Sequence, residues 1–216
     1  GPANADHFLS YAASLLGESG DWREPVQLVR TGLYWPGEPA PTLDHVRSFW
    51  PARGPVAPIV FYRALLQSDD LKPIDALVAA LLARGINPLP IFVSSLKDVF
   101  SAGIITRVFA ETRPAVILNC TGFAISTPGK TNVAGPFSAA DCAVLQIILS
   151  GGDRASWENG MRGLSPRDLA MNVALPEVDG RLISRAISFK ESTAFDSETE
   201  IAVVKHQPIA DRVGFV

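Results

Sequence analysis

Ala57-Pro58-Ile59-Val60-Phe61 and Pro88-Leu89-Pro90-Ile91-Phe92-Val93 are two short apolar runs with no polar alternation. Runs of that kind read as strands of a parallel sheet, buried on both faces. Between them, residues 71–84 place Ile74, Leu77, Val78, Leu81 and Leu82 on one helical face, and Gly85 follows as a C-terminal cap. Working outward, residues 96–109 read as the next helix. Ala115-Val-Ile-Leu-Asn119 reads as a third strand and Ala143-Val-Leu-Gln-Ile-Ile-Leu149 as a fourth. Alternating units of this length imply parallel strands joined by right-handed crossovers, with helices over both faces. The expected fold class is α/β: a three-layer, mostly parallel sheet, flavodoxin- or Rossmann-like, over residues 55–216.

Residues 1–54 read as an N-terminal helical or irregular extension. A helix is expected over 7–16, with Asn4 or Asp6 as its cap and Gly17 and Gly20 ending it. A short strand follows over 27–34, broken by Pro36 and Gly37. Thr42 is placed to cap a second helix that runs to Trp50 and closes at Pro51. Beyond Ser150, a helix is expected over 165–174, with Ser165 as cap, Pro166 at its first position and Asp168 in its first turn. Residues 175–180 read as a turn and 181–189 as a final strand. Residues 190–200, with four acidic side chains, read as a solvated loop.

The 216 residues include 47% apolar and 19% charged side chains, and the net charge is −3. That balance excludes intrinsic disorder. It also argues against nucleic-acid binding through bulk electrostatics, which needs a basic surplus. No apolar run is long enough to span a membrane, and the first residues lack a secretory pattern. Cys120 and Cys142, the only cysteines, form neither a disulfide framework nor a zinc cluster. Both are expected to be buried reduced thiols, in keeping with a cytoplasmic protein. Gly1-Pro2 has the character of a scar from tag cleavage, the only methionines are Met161 and Met171, and the chain stops on apolar Val213-Gly-Phe-Val216. The expectation is a segment of a longer polypeptide.

In an open parallel sheet, ligands bind beyond the carboxyl ends of the strands. The exits here carry Tyr62-Arg63, Ser94-Ser95, Cys120-Thr121-Gly122 and Ser150-Gly151-Gly152, all rich in hydroxyls, glycine or guanidinium. Tyr62, Arg63, Ser94, Ser95, Thr121, Gly122, Ser150 and Gly151 are therefore the candidate ligand-binding crest. Arg63 has the geometry for a bidentate carboxylate pair, and Ser94 and Ser95 open a helix where an anion is favoured. Glu177 and Asp179 are two carboxylates two residues apart, candidates for acid/base work or cation contact.

Other patterns carry less. Ala124-Ile-Ser-Thr-Pro-Gly-Lys-Thr131 fits a loose phosphate-binding loop, but Gly135 and Pro136 oppose the helix that such a loop must enter. A surface loop is expected there. Ser94-Ser-Leu-Lys97 has Ser-x-x-Lys spacing without the accompanying motifs of a hydrolase. His7, His45 and His206 are scattered, so no metal site is expected.

Ordered motifs go further. Gly32-Leu-Tyr-Trp-Pro-Gly37, Phe61-Tyr-Arg63 and Leu89-Pro-Ile-Phe-Val-Ser-Ser-Leu-Lys-Asp98 are followed by Val144-Leu-Gln-Ile-Ile-Leu-Ser-Gly151 and Arg162-Gly-Leu-Ser-Pro-Arg-Asp-Leu-Ala-Met171. Val173-Ala-Leu-Pro-Glu-Val-Asp-Gly180 and Ile187-Ser-Phe-Lys190 complete the series. Over nearly its whole length the chain resembles the CobN/magnesium-chelatase H-subunit family. Phe61-Tyr-Arg63, Ser94-Ser-Leu-Lys-Asp98 and Arg167-Asp-Leu-Ala170 resemble its cobalt branch, the large subunits of aerobic cobaltochelatase. Asn119-Cys120 departs from that branch, where a further threonine is expected.

The resemblance implies a parent subunit several times longer, binding a tetrapyrrole and the metal, with ATP hydrolysed by separate AAA+ motor subunits. For the cobalt branch the implied reaction is insertion of Co²⁺ into hydrogenobyrinic acid a,c-diamide, a ligase-class step of cobalamin biosynthesis. The implied partners are the remainder of the large subunit, the motor subunits and the corrinoid. Neither nucleic acid nor membrane is implied, and no cofactor is expected on this segment itself. The principal acid/base residues are expected further along the parent, leaving this segment to position ligand and to be inactive alone. A free-standing small-molecule module of flavodoxin-like shape, the equivalent magnesium-chelatase segment and a Ser94/Lys97 hydrolase are the alternatives.

Overall fold

The apolar runs at 57–61 and 88–93 lie side by side with both faces covered; Ala57, Ile59, Val60, Phe61, Leu89, Ile91 and Val93 are fully buried. Burial on both faces is the physical reason these strands show no alternation. The computed structural model describes residues 2–25, 28–38, 40–51, 53–126 and 135–216. Its elements are α1 (Pro2–Leu15), β1 (Thr31–Leu33), α2 (Leu43–Ser48), β2 (Val56–Tyr62), α3 (Arg63–Gln67), α4 (Lys72–Leu82) and β3 (Asn87–Val93). Then follow α5 (Val99–Thr112), β4 (Val116–Asn119), β5 (Ala143–Asp153), α6 (Arg154–Asn159) and α7 (Pro166–Leu169). A π-helical turn (Ala170–Ala174), α8 (Leu175–Val178), β6 (Leu182–Asp196), β7 (Ile201–Pro208) and α9 (Ala210–Phe215) complete the chain.

The strands form one seven-stranded sheet in the order β1-β3-β2-β4-β5-β6-β7. The five inner strands are parallel, and β1 and β7 are antiparallel edges. Counted among themselves, the parallel strands run second, first, third, fourth, fifth. That is a doubly wound order of the flavodoxin type, and it reverses direction between β2 and β4. The mixed α/β, mostly parallel sheet expected from the sequence is present. From the N-terminal extension, β1 pairs with β3, and Tyr34, Trp35 and Val46 join the same core as the inner strands. Among the described residues no helix is long and apolar enough to cross a membrane.

Several local expectations change. The helix expected from residue 96 begins at Val99, because Asp98 caps it: Ser101 donates both its N–H (3.0 Å) and its hydroxyl (2.7 Å) to that carboxylate. The turn expected over 175–180 continues the helix through Val178. Pro176 has no N–H for the carbonyl one turn back and its ring would strike it, and the π turn just before it widens the backbone. The solvated loop expected over 190–200 is a hairpin, since β6 runs to Asp196 and pairs with β7 through Asp196↔Ile201. Its far end is exposed on both faces, including Phe195, Ile201 and Val204. No buried face therefore imposes a readable alternation there, and β6 is not the last strand. Helix α1 begins at Pro2, ahead of residue 7, so Asn4 and Asp6 lie inside it and do not cap it, and Phe8, Leu9, Leu15 and Leu16 stand exposed. Cys120 is buried and Cys142 is half-buried, both as free thiols.

The sheet curls until β7 reaches the α3–α4 link. Asp70, 4% exposed, closes the curl: its carboxylate accepts the backbone N–H of His206 (2.7 Å) and pairs with the Lys190 ammonium. Lys205 donates to the Asp69 carbonyl (2.8 Å), and Lys72 donates to Gln207 Oε1 (3.0 Å). Replacing Asp70 by alanine leaves a half-buried cation and a buried N–H unpaired, so Asp70→Ala is expected to cost about 2–4 kcal/mol. Urea unfolding of the chain measures it. A loss under about 0.5 kcal/mol, the scale of an ordinary surface substitution, would show that the curl does not depend on this carboxylate.

Candidate functional site

β2 and β4 pair only through Ile59↔Leu118 and Val60↔Asn119. Beyond that short ladder the two chains part, at the switch point where open α/β sheets hold their ligands. A cavity of about 500 Å³ opens there. Tyr62 and Leu65 stand on the β2 side, Gly122 and Phe123 on the β4 side, and Leu149 and Gly151 past β5. The helical stretch after α6 adds Arg167, Asp168 and Met171, and β7 adds His206. A smaller cavity of about 190 Å³ shares Tyr62, Gly122 and Phe123 with it and reaches Ser95 and Lys97.

Four of the eight expected crest residues line these cavities: Tyr62, Ser95, Gly122 and Gly151. The Tyr62 hydroxyl donates to the Gly122 carbonyl (2.9 Å), bridging the two sides of the switch point. Burial raises its phenol pKa, with Arg181 and Thr121 opposing. Gly122 is needed for space, because a Cβ there would lie 3.0 Å from the Met171 carbonyl oxygen. Ser95 Oγ accepts the N–H of Lys97 (3.1 Å). Since Asp98 already occupies the start of α5, neither serine sits on free helix N–H groups.

The other four lie elsewhere. Arg63 donates to the Leu28 carbonyl (3.4 Å) and pairs with no carboxylate among the described residues. Ser94 Oγ stands 3.4 Å from Ser101 Oγ, with no bond to Lys97 among the described residues. Thr121 is fully buried and donates to Asn119 Oδ1 (2.8 Å). Ser150 is buried beneath the crest.

Ser150 is one of several donors to Asp168, a carboxylate only 5% exposed. It receives the Ser150 hydroxyl (2.8 Å), the Ser165 hydroxyl (3.0 Å), the Gly151 N–H (3.1 Å) and the Asn172 amide (3.4 Å). Ser165 in turn accepts the Asp168 N–H (3.1 Å), the cap expected from the sequence. Asp168 thus ties β5 to α7, with its lone pairs already engaged.

Under the switch point lies a second buried network. Asn119 donates to Gln146 Oε1 (2.7 Å) and to the Thr121 carbonyl (2.9 Å), and Gln146 donates to that same carbonyl (2.9 Å). Arg181 donates to Gln146 Oε1 (3.1 Å) and to Asp179 Oδ2 (2.7 Å). Burial lowers the Arg181 pKa, against the pull of Asp179 and Tyr62. This network fixes the Thr121-Gly122 backbone opposite Tyr62. Its sequence signals were polar Asn119 and Gln146 inside apolar strand runs.

Of the two acid/base candidates, Glu177 is exposed on α8 and lines none of these cavities. Asp179 accepts the N–H groups of Ile125 (2.7 Å) and Ser126 (2.8 Å) besides Arg181. Burial pushes its carboxyl up, but those N–H donors and Arg181 outweigh it and hold the pKa below the ordinary value. Asp179 and Arg181 also border a cavity of about 540 Å³, lined as well by Ser126, Phe137 and Cys142. Most of the loose phosphate-loop pattern, Thr127 to Thr131, lies outside the described residues.

Besides Arg167 and Asp168, His206 is a cavity residue that sequence reading passed over. It is 6% exposed, and its Nδ1 lies 3.2 Å from Ser188 Oγ. Burial lowers its pKa to about 4; Lys190 adds to the shift, and Asp70 and Asp168 oppose it. Cys120, also in the wall, has its thiol pushed up to about 12 by burial. No group of three or more His, Cys, Asp or Glu among the described residues is arranged to hold a metal ion. The cavity therefore offers an apolar wall (Leu65, Leu149, Met171), a neutral imidazole and thiol, and an exposed guanidinium, Arg167, at its rim. That suits a ligand with an apolar body and polar or anionic arms.

Two outcomes follow. Asp168→Ala removes the shared acceptor of four donors, the buried Ser150 hydroxyl among them, and is expected to destabilise the chain by about 2–4 kcal/mol in urea unfolding. The lowered folded-state pKa of His206 means that, between about pH 6.5 and pH 4, the unfolded chain takes up a proton that the folded chain refuses. Stability in that window falls as pH falls, by about 1–2 kcal/mol between pH 7 and pH 5. His206→Gln is expected to flatten that slope, while the loss tied to Asp179 sets in at lower pH in both proteins.

A family model described as CobN/Magnesium Chelatase matches residues 1–216. The aerobic cobaltochelatase subunit CobN of a Sinorhizobium species is 43% identical over the whole chain, which covers 18% of that relative. The CobN subunit of Pseudomonas aeruginosa is 40% identical over the whole chain, which covers 17% of it. Among solved structures, the catalytic subunit of cobaltochelatase from Mycobacterium tuberculosis superposes with a TM-score of 0.71 over 94% of this chain and 16% of that one. At 22% identity that likeness speaks for the fold alone. The chain spans less than a fifth of the length of these relatives. By the full-length model match and the identity to CobN subunits, the chain belongs to the CobN/magnesium chelatase family.

Proposed function

We propose that this chain is the crest-bearing segment of the large subunit of an ATP-dependent cobaltochelatase, and that its switch-point cavity seats one edge of the corrinoid. The observation that carries the reading is a cavity of ligand-binding size at the switch point of a chain more than 40% identical to a CobN subunit. In this reading the substrate is hydrogenobyrinic acid a,c-diamide, the metal is Co²⁺, and the reaction is of the ligase class on the route to cobalamin. ATP is hydrolysed on AAA+ partner subunits, in the cytoplasm, and no cofactor resides on this segment.

Metal insertion strips water from the ion and removes ring N–H protons, so bases must face the macrocycle. Asp168 and Asp179 are poor choices for that task, because their oxygens already accept several donors each. The work of this segment is then orientation: the apolar wall packs an edge of the ring, and Arg167 takes an anionic arm at the rim. Proton removal belongs to the remainder of the subunit.

Ala64 stands exposed at the lip of the cavity, so Ala64→Trp blocks the mouth without disturbing the core. Equilibrium dialysis against a metal-free corrinoid, read by corrinoid absorbance, is expected to show saturable binding to the chain. The blocked variant is expected to bind at least about tenfold more weakly, and the chain alone to insert no cobalt. Equal binding by the two proteins would remove the cavity from the proposal, and cobalt insertion by the isolated chain would remove the positioning role.

A further inference from the structure

His206 is the least explained polar side chain at the switch point. Its backbone N–H is held by Asp70 and its Nδ1 faces Ser188, so both its main chain and one ring nitrogen are fixed. The other nitrogen, Nε2, makes no hydrogen bond among the described residues, although the residue is 94% buried and lines the cavity wall. Nε2 is not among the fully enclosed unpaired atoms, so it keeps some accessible surface, and a nitrogen of a cavity-wall residue in that position is satisfied by a ligand atom or water.

The surrounding charge narrows what that partner is. Asp70 and Lys190 neutralise each other, Asp168 brings a negative charge engaged by its own donors, and Arg167 stands out at the rim. Tyr62 and Cys120 are the remaining ionisable groups in the wall, and burial keeps both protonated. The inner end of the cavity is therefore slightly negative and the rim positive. A carboxylate arm suits the rim; an uncharged hydrogen-bonding group suits the inner end.

We propose that His206 is a ligand contact of the cavity, its Nε2 hydrogen-bonding an uncharged polar group of the bound molecule. This rests on the cavity being the corrinoid site. Protonation of the ring places a cation where the bound arm is matched to a neutral partner, and Lys190 stands close enough to disfavour it. His206→Gln keeps an uncharged hydrogen-bonding side chain, whereas His206→Leu keeps bulk without one.

The test is dialysis of the chain and both variants against the same metal-free corrinoid from pH 8 to pH 4.5, with circular dichroism confirming that each is folded at each point. The expected result at pH 7.5 is binding by His206→Gln within about threefold of wild type, and loss of about tenfold in His206→Leu, the scale of one hydrogen bond. Wild-type affinity is expected to hold from pH 8 to pH 6 and to weaken below pH 5, while His206→Gln shows no such weakening. Undiminished binding by folded His206→Leu overturns the inference and leaves the cavity's role standing. The same acid weakening in His206→Gln assigns the pH dependence to another group and also overturns it. Absence of binding by the wild-type chain overturns this inference together with the reading beneath it. Should His206→Leu fail to fold, the comparison of pH profiles between wild type and His206→Gln decides alone.

Discussion

Buried carboxylates hold the loops around the parallel sheet. Strand ends that stop inside the protein leave N–H groups with no ladder partner, and each such donor must be paired. Asp179 takes the N–H groups of Ile125 and Ser126, Asp168 takes that of Gly151, and Asp70 takes that of His206. Each acid joins two segments distant in sequence: the end of α8 to the loop after β4, α7 to β5, and the α3–α4 link to β7. Remove these acids and the inner strands still pack through Ile59, Ile91 and Ile117, but the loops they tie lose their cross-links.

The same constraint sorts acids from ligand-facing groups. A carboxylate that accepts three or four short hydrogen bonds is a poor proton acceptor, because protonation would forfeit them. The cavity's other polar groups are the Tyr62 hydroxyl beside Gly122, the backbone around Gly151, the His206 ring and the exposed Arg167. For a segment covering less than a fifth of its relatives, a site that orients and does little chemistry is physically coherent.

The β2–α4–β3 unit was legible because its pattern is local. Leu77, Val78 and Leu81 at helical spacing, between two runs buried on both faces, admit few other readings. The Thr42 and Ser165 caps were legible for the same reason, each needing only a hydroxyl three residues before an N–H. The β6–β7 hairpin was not, because its outer half is held by cross-strand backbone bonds that any side chain permits. Asp98 at the start of α5 was missed in favour of the serines before it, although both are good caps in isolation. Which one wins depends on where Ser101 lies.

For the site, the strand exits were readable and the cavity was not. That cavity-lining residues follow β2, β4 and β5 is a consequence of sheet polarity, so Tyr62, Gly122 and Gly151 could be named from the chain alone. Which of their neighbours turn inward depends on partners 18 to 136 residues away: Ser150 on Asp168, Gln146 on Asn119 and Arg181, His206 on Asp70. The amino-acid sequence by itself determined the parallel α/β core, the strand exits and the family, because periodicity and ordered motifs are properties of the chain. Only the tertiary structure decided that the sheet curls to carry His206 into the cavity and that Asp168 and Asp179 are held by their neighbours. Those outcomes depend on which distant donors meet which acceptors, and sequence spacing does not encode it.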